Sequence, residues 1–336
     1  MDGLDVFGFS ESNNPWMIKK FMKENDLRML VYIAGYGRSG STILDIILGN
    51  HDHIESVGEL VNLFHDGMDI KRPCSCGKSF KDCEFWNPIL SNLFGKFDTN
   101  DFYKMNKLQR DVESLTKLWR IFTGFHSGIA YDRYRGVMTL LFNHIAQASG
   151  KPFVVDSSKS STDHVGRPYA FRKLCGFNVK IIHLVRDGRG VMWSVMRGSN
   201  LEMERGTNGK VPFGPYRALM GWLLSNTIVS LLGFFDTGKH YKLVRYEDLI
   251  DDPENELRRI SSFLGINMDQ LITQVRSRSS LKVGHNVGGN RLRLSQKVKL
   301  GRDLEWRQKL PVKLRLLFLF VAWPLALKYG YNLFEQ

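Results

Sequence analysis

A single eight-residue stretch, GYGRSGST at residues 35–42, most constrains how this chain can fold. It directly follows MLVYIA (29–34), an apolar run of the kind expected of a strand buried on both faces in a parallel sheet. It leads into STILDIIL (41–48), which is apolar at helical spacing and is stopped by Gly49 and Asn50. A glycine-rich loop between a buried strand and a helix start lets successive backbone N–H groups wrap an anion, and the helix dipole adds to the attraction. The spacing is that of G-x-x-x-x-G-[KST]-[ST], but the lysine that a nucleoside triphosphatase sets against its β- and γ-phosphates is replaced by Ser41, and Arg38 lies inside the loop. Gly37, Arg38, Ser39, Gly40, Ser41 and Thr42 are therefore candidate ligands for a terminal phosphate and its neighbouring group rather than for a magnesium triphosphate.

Three more strands of the same character are predicted at 153–156 (FVVD), 179–185 (VKIIHLV) and 241–245 (YKLVR), each followed by a helical pattern. Alternating strand and helix predicts an α/β fold with a central, mostly parallel sheet flanked by helices. Two stretches, about 86–149 and 215–235, read as helical insertions, and a C-terminal helix is expected over about 311–330. Without repeats or a low-complexity linker, residues 29–336 read as one domain behind an N-terminal extension, 1–28.

The 336 residues, 43% hydrophobic and 24% charged, exclude disordered and fibrous classes. A formal net charge of +13 suits a polyanionic partner, yet the basic residues are spread along the chain and no stacking-aromatic or zinc-finger pattern accompanies them, so no nucleic acid is expected. The first 28 residues hold no apolar run of signal-peptide length, and a cytoplasmic location is expected. Residues 316–327 are almost wholly apolar but too short for a transmembrane segment and interrupted by Pro324. They read as a buried helix, with a weak membrane-surface contact helped by Lys313, Arg315 and Lys328 as the alternative. Cys74, Cys76 and Cys83 are clustered, but C-x-C-x6-C lacks the paired C-x-x-C spacing and has no histidine in the segment. It reads as a reduced structural loop or a redox-sensitive pair, with no metal expected.

GYGRSGST resembles the 5′-phosphosulfate loop of sulfotransferases that use 3′-phosphoadenosine 5′-phosphosulfate. About 150 residues on, LVRDGRGVMWS (184–194) resembles that family's 3′-phosphate motif, in which an arginine at a strand end, here Arg186, and a serine two turns into the next helix, here Ser194, hold one phosphate. RYEDL (245–249) resembles a later strand-end segment and implies Tyr246 at the nucleotide. GGNRLR (288–293) resembles the glycine-plus-basic loop that closes over it, which implies Gly289, Asn290, Arg291 and Arg293. The four segments follow the family's order, between 29 and 306, and the SVGEL and DSSK segments look closer to the carbohydrate and bacterial branches than to the phenol/steroid branch.

The resemblance implies in-line sulfuryl transfer from that donor, with 3′,5′-diphosphoadenosine as product and no metal required, to a hydroxyl or amine of a small molecule, glycan or glycolipid. It implies Glu59 as general base, Lys159 on the bridging oxygen, and Arg38 beside the reacting group. The histidine of the phenol/steroid branch is missing, because Ser161 stands two residues after Lys159; His51 and His53 are fallback bases. The competing reading is a P-loop kinase using ATP and magnesium, with Asp156 as a metal-binding strand-end aspartate.

Overall fold

The computed structural model describes residues 27–66, 72–95, 98–198, 213–234, 236, 238–295, 301 and 303–332. Nearly all of the expected N-terminal extension lies outside them, as do residues 199–212.

Strand β1 (Met29–Ala34) lies at the centre of a five-stranded, all-parallel sheet. β3 (Phe153–Asp156) pairs with it on one side and β4 (Val179–Val185) on the other. β2 (Ile54–Ser56) closes the β3 edge, and β5 (Tyr241–Arg245) closes the β4 edge, giving the order β2-β3-β1-β4-β5. Parallel strands need helical crossovers, which cover both faces, so the alternation along β1 splits between two cores. Leu30, Tyr32 and Ala34 join the core built with the insertion helices. Met29, Val31 and Ile33 face α1 (Ser41–Gly49) and the helices that follow β5, α9 (Tyr246–Asp251), α10 (Pro253–Leu264) and α11 (Asp269–Arg276). β2 was not anticipated, since three residues with a central Glu55 show no apolar run.

The first insertion contains α2 (Trp86–Phe94), α3 (Thr99–Glu113), α4 (Leu115–Thr123) and α5 (Ile129–Ser149). α3 opens with a capping box: Asp98 accepts from the N–H groups of Asn100 and Asp101, and Asp101 accepts from the Asp98 N–H. The same helix ends at Glu113, whose buried carboxylate meets the fully buried Arg167 guanidinium at 2.5 Å, the Tyr134 hydroxyl at 2.7 Å and His164 at 2.6 Å. Arg167, in α6 (Arg167–Lys173), also donates to Asp156 at 3.1 Å, so one ion cluster ties the insertion to the carboxyl end of β3. Removing one member of such a cluster strands a buried charge and costs about 3–5 kcal/mol.

α7 (Gly188–Met196) follows β4, and the second insertion is α8 (Gly214–Phe234). α8 is long and apolar enough to cross a membrane, the one such helix among the described residues. Its Ala218, Leu219 and Trp222 are buried in a third core with α7 and α12 (Val312–Lys328). Trp222 Nε1 donates to the Arg186 carbonyl at 2.9 Å, and a Cβ on Gly188 would lie 2.3 Å from the Phe318 ring. Residues 214–234 and 312–328 thus form the two helices expected near 215–235 and 311–330, and both support the end of β4. α12 is not wholly buried: Leu316, Phe320, Trp323 and Leu327 point outward.

His183, in β4, is fully buried between Tyr241, whose hydroxyl lies 2.6 Å from Nδ1, and Asn226, whose Oδ1 lies 3.0 Å from Nε2. Burial, with a smaller push from Lys328, lowers its pKa from the ordinary 6.5 to about 4. The unfolded chain therefore takes up this proton near pH 6.5, whereas the native chain does so only near pH 4. Stability contributed by neutral His183 is present above pH 6.5 and is lost as the pH falls towards 4. At pH 5 the loss from this group is about 2 kcal/mol. Paired urea melts of wild type and His183→Gln should show the wild-type advantage at pH 7.5 shrinking by roughly that amount at pH 5. A difference independent of pH would refute the buried neutral imidazole.

Candidate active site

Because all five strands run the same way, the loops after β1, β3, β4 and β5 open at one edge of the sheet, where the chain leaves β1 towards β2 on one side and leaves β3 towards β4 on the other. A cleft of about 300 Å³ lies there. The β1 loop forms its floor: Gly37, Arg38, Gly40, Ser41 and Thr42 line it, and Ser39 is buried beneath with its hydroxyl unpaired. Gly40 precedes the first turn of α1 at φ 91°, and a Cβ there would lie 2.4 Å from the Tyr246 ring. The aromatic ring therefore sits on the loop backbone, which only glycine allows. Arg38, at φ 66°, is one of the few non-glycine residues with positive φ among those described, and Lys159, at φ 67°, is another. Both border the same cleft. Strain of this kind gathers where geometry is over-determined by its surroundings.

The β3 loop is stitched to the β1 loop: Ser160 N–H donates to the Gly35 carbonyl at 3.0 Å, and Lys159 N–H donates to Ile33 at 3.2 Å. Lys159 thereby enters the cleft and pairs with Glu59 Oε1. Glu59 lies just behind the cleft lining; Oε2 accepts from Asn62 at 3.0 Å, and its backbone N–H donates to Val287 at 2.7 Å. From the β4 end, Arg186 donates to the Arg38 carbonyl at 3.2 Å and stacks on Tyr246, 4.9 Å from the ring centroid. Its neighbours in the R-D-G-R run do other work. Asp187 caps α7 by accepting from Arg189 N–H at 2.8 Å, and Arg189 folds back on Asp187 at 2.7 Å. Ser194, two turns along α7, reaches the cleft beside Arg197.

Asn290 and Arg291 close the opposite side, with Asn290 N–H donating to Thr42 Oγ1 at 3.1 Å. Gly289 backs onto the same hydroxyl, since a Cβ there would lie 3.2 Å from it and 3.5 Å from Glu59 Oε1. Arg293 is not brought to the cleft. Two residues along a tight turn it faces the other way, is buried, and donates to the Pro73 carbonyl at 2.8 Å. Asp156, the candidate metal-binding aspartate of the kinase reading, is also turned away: one oxygen takes Arg167 and the other takes Ser158 N–H and its hydroxyl.

Two charged cleft residues escaped the sequence reading. Arg197 follows Ser194 by three residues, a helical spacing that could have flagged it. Asp303 had no such signal; it pairs with Arg186 at 3.2 Å and Arg197 at 2.6 Å. Arg38, Lys159, Arg186, Arg197 and Arg291 leave the cleft strongly cationic despite Asp303. Burial, and then Arg197, hold the Arg38 guanidinium below its ordinary pKa.

The sulfotransferase-family profile matches residues 31–270, which include the β1 loop, Glu59, Lys159, Arg186 and Ser194. This chain belongs to the sulfotransferase family. Its fold is similar to that of the sulfotransferase domain from the Synechococcus PCC 7002 olefin synthase, at 20% identity and a TM-score of 0.52 over 92% of this chain and 97% of that one. The sulfotransferase domain from the curacin biosynthetic pathway is similar at 18% identity and a TM-score of 0.50, over 91% and 99%. No curated protein matches the chain in sequence. The sulfotransferase chain's own geometry separates its glycines. Gly40→Ala adds a Cβ against Tyr246 at a strained φ and should destabilise the fold by about 1–3 kcal/mol. Gly37→Ala, with nothing within 4 Å of its Cβ, should leave the melting midpoint nearly unchanged. Equal losses in thermal melts would contradict the packing of Tyr246 on the loop.

Proposed function

We propose that the cleft binds 3′-phosphoadenosine 5′-phosphosulfate and that the enzyme moves its sulfuryl group to a hydroxyl or amine of a small molecule, glycan or glycolipid head group. The observation that carries this reading is the convergence of two anion sites in one cleft: the β1 loop with Arg38 and Lys159, and Arg186 at the end of β4 with Ser194 two turns into α7. One nucleotide phosphorylated at both ends matches the pair. The cradle fits such a ligand, because Gly37 leaves open space above the loop and the unpaired Ser39 hydroxyl lies beneath it. When bound, the donor supplies the sulfuryl group and a phosphate as leaving group.

The chain's residues then have separate tasks. Glu59 Oε1 takes the acceptor's proton as the new bond to sulfur forms. Lys159, already bonded to that oxygen, meets the negative charge that gathers on the bridging oxygen as its bond to sulfur breaks. Arg38 and the loop N–H groups hold the 5′ end, while Arg186 and Ser194 hold the 3′-phosphate. Tyr246, Gly289, Asn290 and Arg291 close the nucleotide in. The acceptor enters from the side of the first insertion, where Leu115 N–H of α4 is joined to Thr162 of the β3 loop at 2.8 Å and Trp119, Phe122 and Phe125 are exposed. Such a surface suits a sugar ring or an apolar molecule.

Titration with 3′,5′-diphosphoadenosine in EDTA tests the binding half. Arg186→Ala should weaken it by about 2–3 kcal/mol, roughly 30- to 150-fold in Kd. Glu59→Gln should bind the nucleotide normally and turn over about 10²- to 10⁴-fold more slowly with the phosphosulfate donor and an acceptor panel. Binding of ATP with magnesium but not of the diphosphoadenosine would favour a kinase, and normal turnover of Glu59→Gln would remove the base.

The outward row Leu316, Phe320, Trp323 and Leu327 on α12 supports a weak membrane-surface contact. Vesicles rich in anionic lipid should retain the wild type in flotation and lose Phe320→Ser/Trp323→Ser; equal retention would dispose of the contact.

A further inference from the structure

The three clustered cysteines gain a partner that lies about 200 residues away in the chain. His285 folds against them, and one ligand atom each from Cys74, Cys76, Cys83 and His285 lie within 4.8 Å of one another, the one such group among the described residues. Cys83 Sγ is 3.3 Å from His285 Nδ1, Cys74 Sγ is 3.7 Å from the same nitrogen, and Cys76 Sγ is 3.7 Å from Cys83 Sγ. A disulfide requires about 2.05 Å between sulfurs. A tetrahedron with metal–sulfur bonds of about 2.3 Å requires sulfurs about 3.8 Å apart, which is the spacing of a zinc site. Three sulfurs and one imidazole nitrogen are also the donor set that zinc takes in closed structural sites.

The surroundings are arranged for that role. Backbone N–H groups of Trp86 and Phe85 point at the Cys83 sulfur, and that of Cys76 points at the Cys74 sulfur. The turn is closed by Gly77 N–H to the Cys74 carbonyl at 2.8 Å, with Gly77 at φ 85°. The imidazole is oriented rather than loose: Phe85 stacks on it at 5.1 Å and 11°, and Trp86 Nε1 donates to the His285 carbonyl at 2.7 Å.

We propose that Cys74, Cys76, Cys83 and His285 bind one structural zinc ion, which clamps the start of the first insertion to the loop that closes the cleft. The clamp leads straight to the cleft. Asn286, next to His285, donates to Asp45 at 2.5 Å; Val287 accepts from Glu59 N–H at 2.7 Å; and Asn290 holds Thr42. Zinc thus fixes the segment on which Glu59 and the β1 loop lean, while touching neither. The donor set was hidden from the sequence because its histidine arrives only through the tertiary fold.

The test uses the full chain, expressed with added zinc and purified under a phosphine reductant. Elemental analysis and native mass spectrometry should find one zinc per chain. Mercurial titration of the thiols should release it to a colorimetric chelator, and Cys76→Ser, at the exposed ligand, should lose it. In the wild type, a strong zinc chelator should lower the melting midpoint, added zinc should restore it, and exchange of the Val287 amide should quicken while zinc is absent. Metal-free wild type, full zinc in Cys76→Ser, or a denatured mass two hydrogens short of the reduced chain, showing a disulfide, would each overturn the site. These readouts do not involve nucleotide or turnover, so they fail independently of the proposed reaction.

Discussion

The parallel direction of five short strands is the constraint from which the rest of this molecule follows. With β1 at the centre and the crossovers from β1 and β3 running opposite ways, the carboxyl ends of β1, β3 and β4 must meet at one edge, and four loops from distant parts of the chain share about 300 Å³. Three of these loops are held from behind by something buried. The β3 end is held by the Arg167, Glu113 and Asp156 cluster, the β4 end by Trp222 and Phe318, and the β1 loop by the ring of Tyr246. Burial of these supports, rather than contacts inside the cleft, gives the cationic side chains their directions.

Positive charge marks the cleft and carries a cost. Arg38, Arg186 and Arg197 lie close enough to disfavour one another, and Arg38 and Lys159 adopt left-handed backbone that side chains resist. Such groups are kept near each other only because the sheet edge leaves their backbones no alternative. An anion of the kind proposed for the cleft would relieve this repulsion.

Much of this was legible in the sequence. The four apolar runs became β1, β3, β4 and β5 with their expected bounds, since fully buried parallel strands leave an unbroken hydrophobic signature. β2 left none, being three residues long with Glu55 in the middle. Gly37, Arg38, Lys159, Arg186, Ser194 and Asn290, which line one cleft, all stand in short local motifs: loops just after strand ends, the second turn of α7 and the closing loop. What local motifs could not show was long-range pairing. GGNRLR reads as one basic loop, but its tight turn sends Arg291 to the cleft and Arg293 to Pro73. In the same way, DSSK looks like a loop with an available aspartate until Arg167 claims it.

Asp303 gives the cleft a tethered anion of its own. Its carboxylate lies 3.2 Å from Arg186 and 2.6 Å from Arg197, one of them a proposed holder of the 3′-phosphate. Occupation by a phosphate is therefore an exchange of counter-ions rather than a capture by bare cations. A tethered carboxylate competes at high effective concentration, so a ligand bearing a single charge gains little by displacing it. A ligand anchored at the β1 loop turns the exchange at Arg186 into an intramolecular step and matches that advantage. For the nucleotide proposed above, discrimination between doubly and singly phosphorylated forms would then reside in an acidic side chain that the better ligand pushes aside.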